Sequence, residues 1–125
     1  MKPPRTTHQQ KGVHVVKGKP IFIEKDKLKE ARSKLSSHLS QHVPEKPYEG
    51  PLECVVKWCF LTQSKKLHGK YKITRPDCHN LNKLLFDCMT DLGYWVDDSH
   101  VCREIIEKFW VVEKPGIFIS IKELK

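Results

Sequence analysis

The chain has 125 residues and a mass of 14.6 kDa, room for one domain of ordinary size. Apolar residues make up 38% and charged residues 30%, and the longest apolar runs fall far short of the roughly 20 residues that span a bilayer. The net charge is +8, with a pI near 9.3, a balance that favours a polyanionic partner, nucleic acid being the commonest, although many small basic proteins bind none.

In chain order, residues 1–12 are polar, contain proline and read as an arm or loop. They lack the apolar middle of a secretory signal, and the expectation is an intracellular, cytoplasmic protein. Val13-His14-Val15-Val16 and Pro20-Ile21-Phe22-Ile23, separated by Lys17-Gly18-Lys19, read as a short hairpin. From Lys25 to about Val43, Leu28, Ala31, Leu35, Leu39 and Val43 recur at helical spacing until Pro44 stops the pattern. Residues 44–51 form a turn-rich connector. Residues 52–61, LECVVKWCFL, are too apolar and β-branched for a surface helix and predict a buried strand.

A basic loop, 62–75, leads to a second helix over 80–92. Its Leu81, Leu84, Leu85, Cys88, Met89 and Leu92 share one face, and Gly93 stands where a left-handed cap belongs. Residues 100–112 and 117–124 then read as two strands joined at Pro115-Gly116. The sum is one compact α+β domain over 1–125, with two main helices and a mixed or antiparallel sheet. Trp58, Trp95 and Trp110 are candidates for core or interface. The five cysteines are odd in number, and no pair has the spacing of a zinc knuckle or redox motif. Cys54, Cys88 and Cys102 sit in apolar patterns as small hydrophobes, so the expectation is a reduced protein without a disulfide framework.

Three features between Lys65 and Asp98 can carry chemistry. The loop SKKLHGKYKITR holds Lys65, Lys66, Lys70, Lys72 and Arg75 with no acid. Such charges repel each other in a solvated loop but release counterions opposite a phosphate backbone. Asp77 and His79 precede and open the second helix two residues apart, so in an extended approach they can face one ion; an aspartate there equally serves as helix N-cap. Asp97-Asp98 follows the aromatic pair Tyr94-Trp95. Two adjacent carboxylates need a cation or solvent to relieve them, and a surface turn explains them equally well. Phosphodiester hydrolysis would use all three: carboxylates to hold a divalent ion, and a lysine against developing charge. Lys83, one turn past His79 and Asn80, can reach the same place or be an ordinary exposed helix lysine.

The run Asp77-Cys78-His79-Asn80-Leu81-Asn82-Lys83, the helix containing Phe86-Asp87, and Gly93-Tyr94-Trp95-Val96-Asp97-Asp98-Ser99-His100-Val101 resemble the signature of the RusA family of Holliday junction resolvases. That signature reads roughly D-x-D-N-L-x-K, then F-D, then G-x-W-x-D-D-x-x-V. Pro3-Pro4 resembles the start of the family's N-terminal loop, and residues 117–124 resemble its final strand. The resemblance implies a homodimeric, magnesium-dependent endodeoxyribonuclease that makes paired nicks across four-way DNA in recombination and repair, with no small-molecule cofactor. By position, Asp77, His79, Asp97 and Asp98 would hold the metal, and Asp77, His79, Asp98 and Lys83 would be catalytic. Lys65, Lys66, Lys70, Lys72, Arg75, Asn80 and Lys83 would contact DNA. Small resolvases of this kind are often phage-borne.

There are two departures. The chain starts almost at the Pro-Pro pair, where family members have a short preceding strand; either this version lacks it or the natural start lies upstream. His79 stands where the family pattern has a second aspartate. Its imidazole leaves the site one negative charge weaker, which keeps open a rival reading: a structure-selective DNA-binding module with a degraded metal site. An adaptor using the residue 81–92 stripe ranks last, because such stripes are more often core. Nitrogen ligands suit manganese better than magnesium, so nuclease activity should be higher with manganese and metal binding should weaken below about pH 6.5. Equal cleavage with both ions and flat behaviour from pH 6 to 8 would remove His79 from the ligand set.

Overall fold

The apolar segment at the middle of the chain becomes its central strand. In the computed structural model, which describes Pro3 and residues 14–16, 19–21 and 23–125, a two-stranded hairpin pairs β1 (His14–Val16) with β2 (Lys19–Ile21). Apart from Pro3, the expected N-terminal arm lies outside the described residues. Helix α1 (Ile23–Leu39) follows, then β3 (Leu52–Leu61), α2 (Cys78–Leu92), β4 (Val101–Val111) and β5 (Gly116–Glu123). No helix among the described residues is long and apolar enough to cross a membrane.

Strand β3 pairs with β4 in parallel and with β5 antiparallel, giving the order β4-β3-β5. The sheet is therefore mixed. The two C-terminal strands, consecutive in sequence, flank β3 and do not pair with each other. A parallel pair needs a long crossover, and α2 supplies it. Leu52, Cys54, Val56, Trp58 and Phe60 of β3 are buried beneath the helices, while the residues between them are half-buried or exposed. The expected buried strand is thus buried on one face.

Ala31, Leu35 and Leu39 of α1 and Leu81, Leu84, Leu85, Cys88 and Met89 of α2 close that core. The helix expected to reach Val43 ends at Leu39 and tightens into a 3-10 turn at Ser40–His42. There the Ser40 hydroxyl donates to the Ser37 carbonyl (2.8 Å), an alternative partner for a backbone group that would otherwise continue the helix. Trp58 and Trp95 lie in the core, with Trp110 packed against its margin. All five cysteines are free thiols, and burial pushes the pKa of Cys54 up to about 12. Cys102, expected among the small core hydrophobes, is exposed. The β3–β4 register slips beside it, leaving it without a partner on β3, and a bulged residue of this kind turns away from the packed face.

The C-terminus of α2 is closed by the Gly93 N–H donating to the Thr90 carbonyl (3.1 Å) and the Tyr94 N–H to that of Met89 (3.0 Å). This paired arrangement requires a left-handed residue, and Gly93 has φ 89°. It turns Tyr94 and Trp95 back into the core. There the Tyr94 hydroxyl donates to the Leu39 carbonyl (2.6 Å) and the Trp95 indole to Thr90 Oγ1 (2.8 Å). A Cβ at Gly93 would meet nothing within 4 Å, so Gly93→Ala isolates the backbone penalty. It should lower the unfolding free energy by about 1 kcal/mol in urea titrations, with Gly93→Asn losing less.

Candidate nuclease site

Asp77 is the N-cap of α2: its backbone is extended, and Oδ1 accepts from the Asn80 N–H (2.9 Å) and from Asn80 Nδ2 (2.8 Å). The capping reading of Asp77 therefore holds, and it leaves Oδ2 with no donor among the described residues. Asn80, expected among the DNA contacts, is buried with its amide turned onto this carboxylate, which it orients. His79 is exposed in the first turn.

His79, Lys83 and Asp87 follow one another at four-residue intervals and so climb one side of α2. Lys83 Nζ lies 3.9 Å from Asp87 Oδ2, and the same oxygen accepts from Arg32 of α1 at 3.2 Å. Asp98 joins this group. Its pKa is raised, first by burial and then by the charges of Asp97 and Asp87, with Lys83 opposing. Asp97, the N-cap of the 3-10 turn Asp98–His100, is shifted the other way: the Ser99 backbone N–H holds its carboxylate below the usual range. Asp98 is thus within electrostatic reach of Lys83 and Asp87. Asp77 and His79 stand earlier on the helix, with Asp77 about 9 Å of axial rise before Lys83.

Among the described residues, no three His, Cys, Asp or Glu side chains form a ready-made cation site. The four expected ligands are divided between the helix N-terminus and the turn before β4. Their chemistry nevertheless suits a divalent ion. Burial raises the pKa of Asp98, and the nearby charges of Asp97 and Asp87 add to it, a penalty that a cation relieves, and oxygen donors are what magnesium takes.

The basic loop separates into two parts. Lys65, Lys66, Lys70 and Arg75 are exposed, whereas Lys72 is buried. Its ammonium donates to the carbonyls of Thr74 and Arg75 and to Thr74 Oγ1, and lies over the rings of Trp110 (4.6 Å) and Phe60 (5.1 Å). Lys72, expected among the DNA contacts, is thus a buried strut inside the loop. Lys108 of β4 donates to the carbonyls of Thr74 and Pro76, each at 2.8 Å.

Sequence reasoning missed Arg32 and Lys108 and saw Asp87 only as part of a motif. Asp87 was accessible through its spacing from Lys83. A lysine alternating along a strand, as Lys108 does, signals only solvent.

The raised pKa of Asp98 has a stability consequence. Its charged form is less favourable in the folded protein than in the unfolded chain, so stability falls as pH rises through its titration range. In EDTA at pH 7, Asp98→Asn should therefore melt above the wild type, and the difference should vanish below about pH 3, where the wild-type side chain is protonated in both the folded and the unfolded state. A lower melting temperature at pH 7 would mean that the carboxylate is stabilising where it stands.

Residues 2–122 match the protein family described as Endodeoxyribonuclease RusA. A curated relative, the crossover junction endodeoxyribonuclease rusA of Lactococcus phage r1t, is 38% identical over 98 residues, covering 77% of this chain and 73% of its own. The motif positions from Asp77 to Val101 run from the start of α2 to the start of β4, and the family match encloses them. The chain belongs to the RusA family of endodeoxyribonucleases.

Proposed function

We propose that the protein is a divalent-metal-dependent endodeoxyribonuclease that cuts four-way DNA junctions by paired nicks as a homodimer, in the cytoplasm of a bacterial or phage-infected cell. The observation that supports this reading is the placement of Asp98, in the turn before β4, within electrostatic reach of Lys83 and Asp87 of α2. Asp97 and Asp98, with Asp77 and His79 at the start of α2, would hold magnesium or manganese, which when bound activates water and offsets phosphate charge.

The chain's own residues do the rest. Asn80 orients the Asp77 carboxylate. Asp87, paired with Arg32, keeps Lys83 along the helix, where its ammonium can meet negative charge building on the phosphate. Lys65, Lys66, Lys70 and Arg75 contact the DNA backbone, while Lys72 stiffens the loop that carries them.

Symmetric nicks call for two sites related by a two-fold axis. The helix-free face of the sheet suits a second copy. Phe118 and Ile105 are exposed there beside Tyr71, among charges of both signs such as the Arg103–Glu53 pair and Lys57 over Phe118. Such an even mixture on a chain of net charge +8 is a poor surface for DNA and a self-complementary one for protein. The absence of a ready-made cation site among the described residues favours one rival, a junction-binding module without cleavage.

The test is an end-labelled synthetic four-way junction with magnesium or manganese, beside matched linear duplex and the Asp98→Asn variant. Paired nicks on opposite strands are expected, about 100-fold slower or worse in the variant, from a species of twice 14.6 kDa by light scattering. Tight junction binding without nicks under either metal would establish the binding module instead.

A further inference from the structure

Beside the candidate site the usual polarity of a protein surface is reversed. Lys72 is 4% exposed, and its neighbour Ile73 is 93% exposed. A lone apolar side chain in water needs no explanation by itself. A buried lysine does, since removing an ammonium from water is unfavourable unless every donor is met. Here the ammonium is met by the Thr74 and Arg75 carbonyls, Thr74 Oγ1 and two aromatic rings.

The backbone on either side of Ile73 is tied to β4. Gly69 N–H donates to the Trp110 carbonyl (2.8 Å), Trp110 N–H to that of Lys70 (2.9 Å) and Lys72 N–H to that of Lys108 (2.9 Å). The Tyr71 ring stacks on Phe109 at 4.9 Å, and its hydroxyl donates to Glu107 at 2.7 Å. Lys108 holds the carbonyls of Thr74 and Pro76 on the far side. Ile73 is therefore a stiff, β-branched side chain on a braced mount. Its immersion on binding would cost little ordering entropy.

Its surroundings name the occupant. Lys70 and Arg75 are exposed on the same loop, and four residues on is Asp77. A polyanion held by these cations would bring its interior against Ile73, and the apolar surface that a nucleic acid offers is the face of a base. Isoleucine is among the side chains that enter a base step as wedges, and unstacking is least unfavourable where pairing or stacking is already interrupted, as at the exchange point of a junction. We propose that Ile73 is a wedge that enters the DNA stack at the branch point and sets the preference for branched over continuous duplex. The proposal rests on the reading of the chain as a junction endonuclease.

The test places 2-aminopurine at the branch point of a four-way junction, with the same base in matched duplex as control, in EDTA so that no cleavage intervenes. Binding of the wild type should raise the fluorescence as the base unstacks. Ile73→Ser should lose most of that rise and about 10-fold in the ratio of junction to duplex affinity, while Ile73→Met keeps both. Ile73 is in water, so neither substitution removes packing, and unchanged melting temperatures confirm that folding is intact. If Ile73→Ser matches the wild type in fluorescence and affinity ratio while both bind and cut the junction, the wedge is wrong and the endonuclease reading stands. A wild type that neither prefers nor cuts the junction would overturn both.

Discussion

The parallel pairing of β3 with β4 is the constraint on which the remaining arrangement depends. Parallel neighbours cannot be joined by a tight turn, so 39 residues, 62–100, must return the chain to the start of β4. They do so through the basic loop, α2 and the Gly93 closure. α2 must run back along the sheet, with Asp77 at the end where β3 finishes and Asp97-Asp98 at the end where β4 begins. The motif is thereby stretched along one helix, and its lysine, Lys83, lies between the two groups of carboxylates. This geometry explains why the expected ligands do not meet as one cluster among the described residues.

The second organising device is the use of cations as internal struts. Lys72 and Lys108 both aim their ammonium groups at main-chain carbonyls of residues 74–76. Three successive carbonyls in a loop with no regular backbone partners would be left to water; two ammonium groups satisfy them with charge-assisted bonds. The loop's formal charge thus overstates what it can offer a ligand. At the same time the struts fix the approach to α2, so that Asp77 enters its capping position from a rigid segment and the exposed cations Lys70 and Arg75 project from a defined surface.

Much of this was legible in the sequence, unevenly. The extent of β3 could be read residue by residue because a run of apolar and β-branched side chains has few other homes. The end of α2 could be read because only a left-handed residue permits the Gly93 closure. The single-domain α+β class followed from those elements. The strand order did not, since residues 100–112 and 117–124 joined by Pro-Gly look the same whether they pair with each other or straddle a third strand. Nor did the inward turn of Lys72: a lysine in a basic loop carries no local mark of burial, and the aromatic residues that receive it, Phe60 and Trp110, come from two distant strands. At the candidate site, spacing singles out Lys83 and the Asp97-Asp98 pair but not what supports them, because Arg32 reaches Asp87 from 55 positions away.

The electrostatics of the Asp98 neighbourhood argue that it is shaped by something other than folding. Natural surfaces disperse like charges, yet here Asp97 and Asp98 are adjacent and Asp87 adds to the repulsion. Asp87 is answered by Arg32 and Lys83, and Asp97 by the Ser99 backbone. Asp98 is half-buried near two negative neighbours, and among the described residues Lys83 alone opposes them. A fold optimised for its own stability would place a neutral side chain there. Retaining a carboxylate where it is disfavoured makes sense if its charge is completed by a visiting cation. On this view the Arg32–Asp87 pair has a specific part: it ties α1 to the helix face that holds Lys83, so that a counter-charge to Asp98 is anchored by the packing of both helices on the central strand.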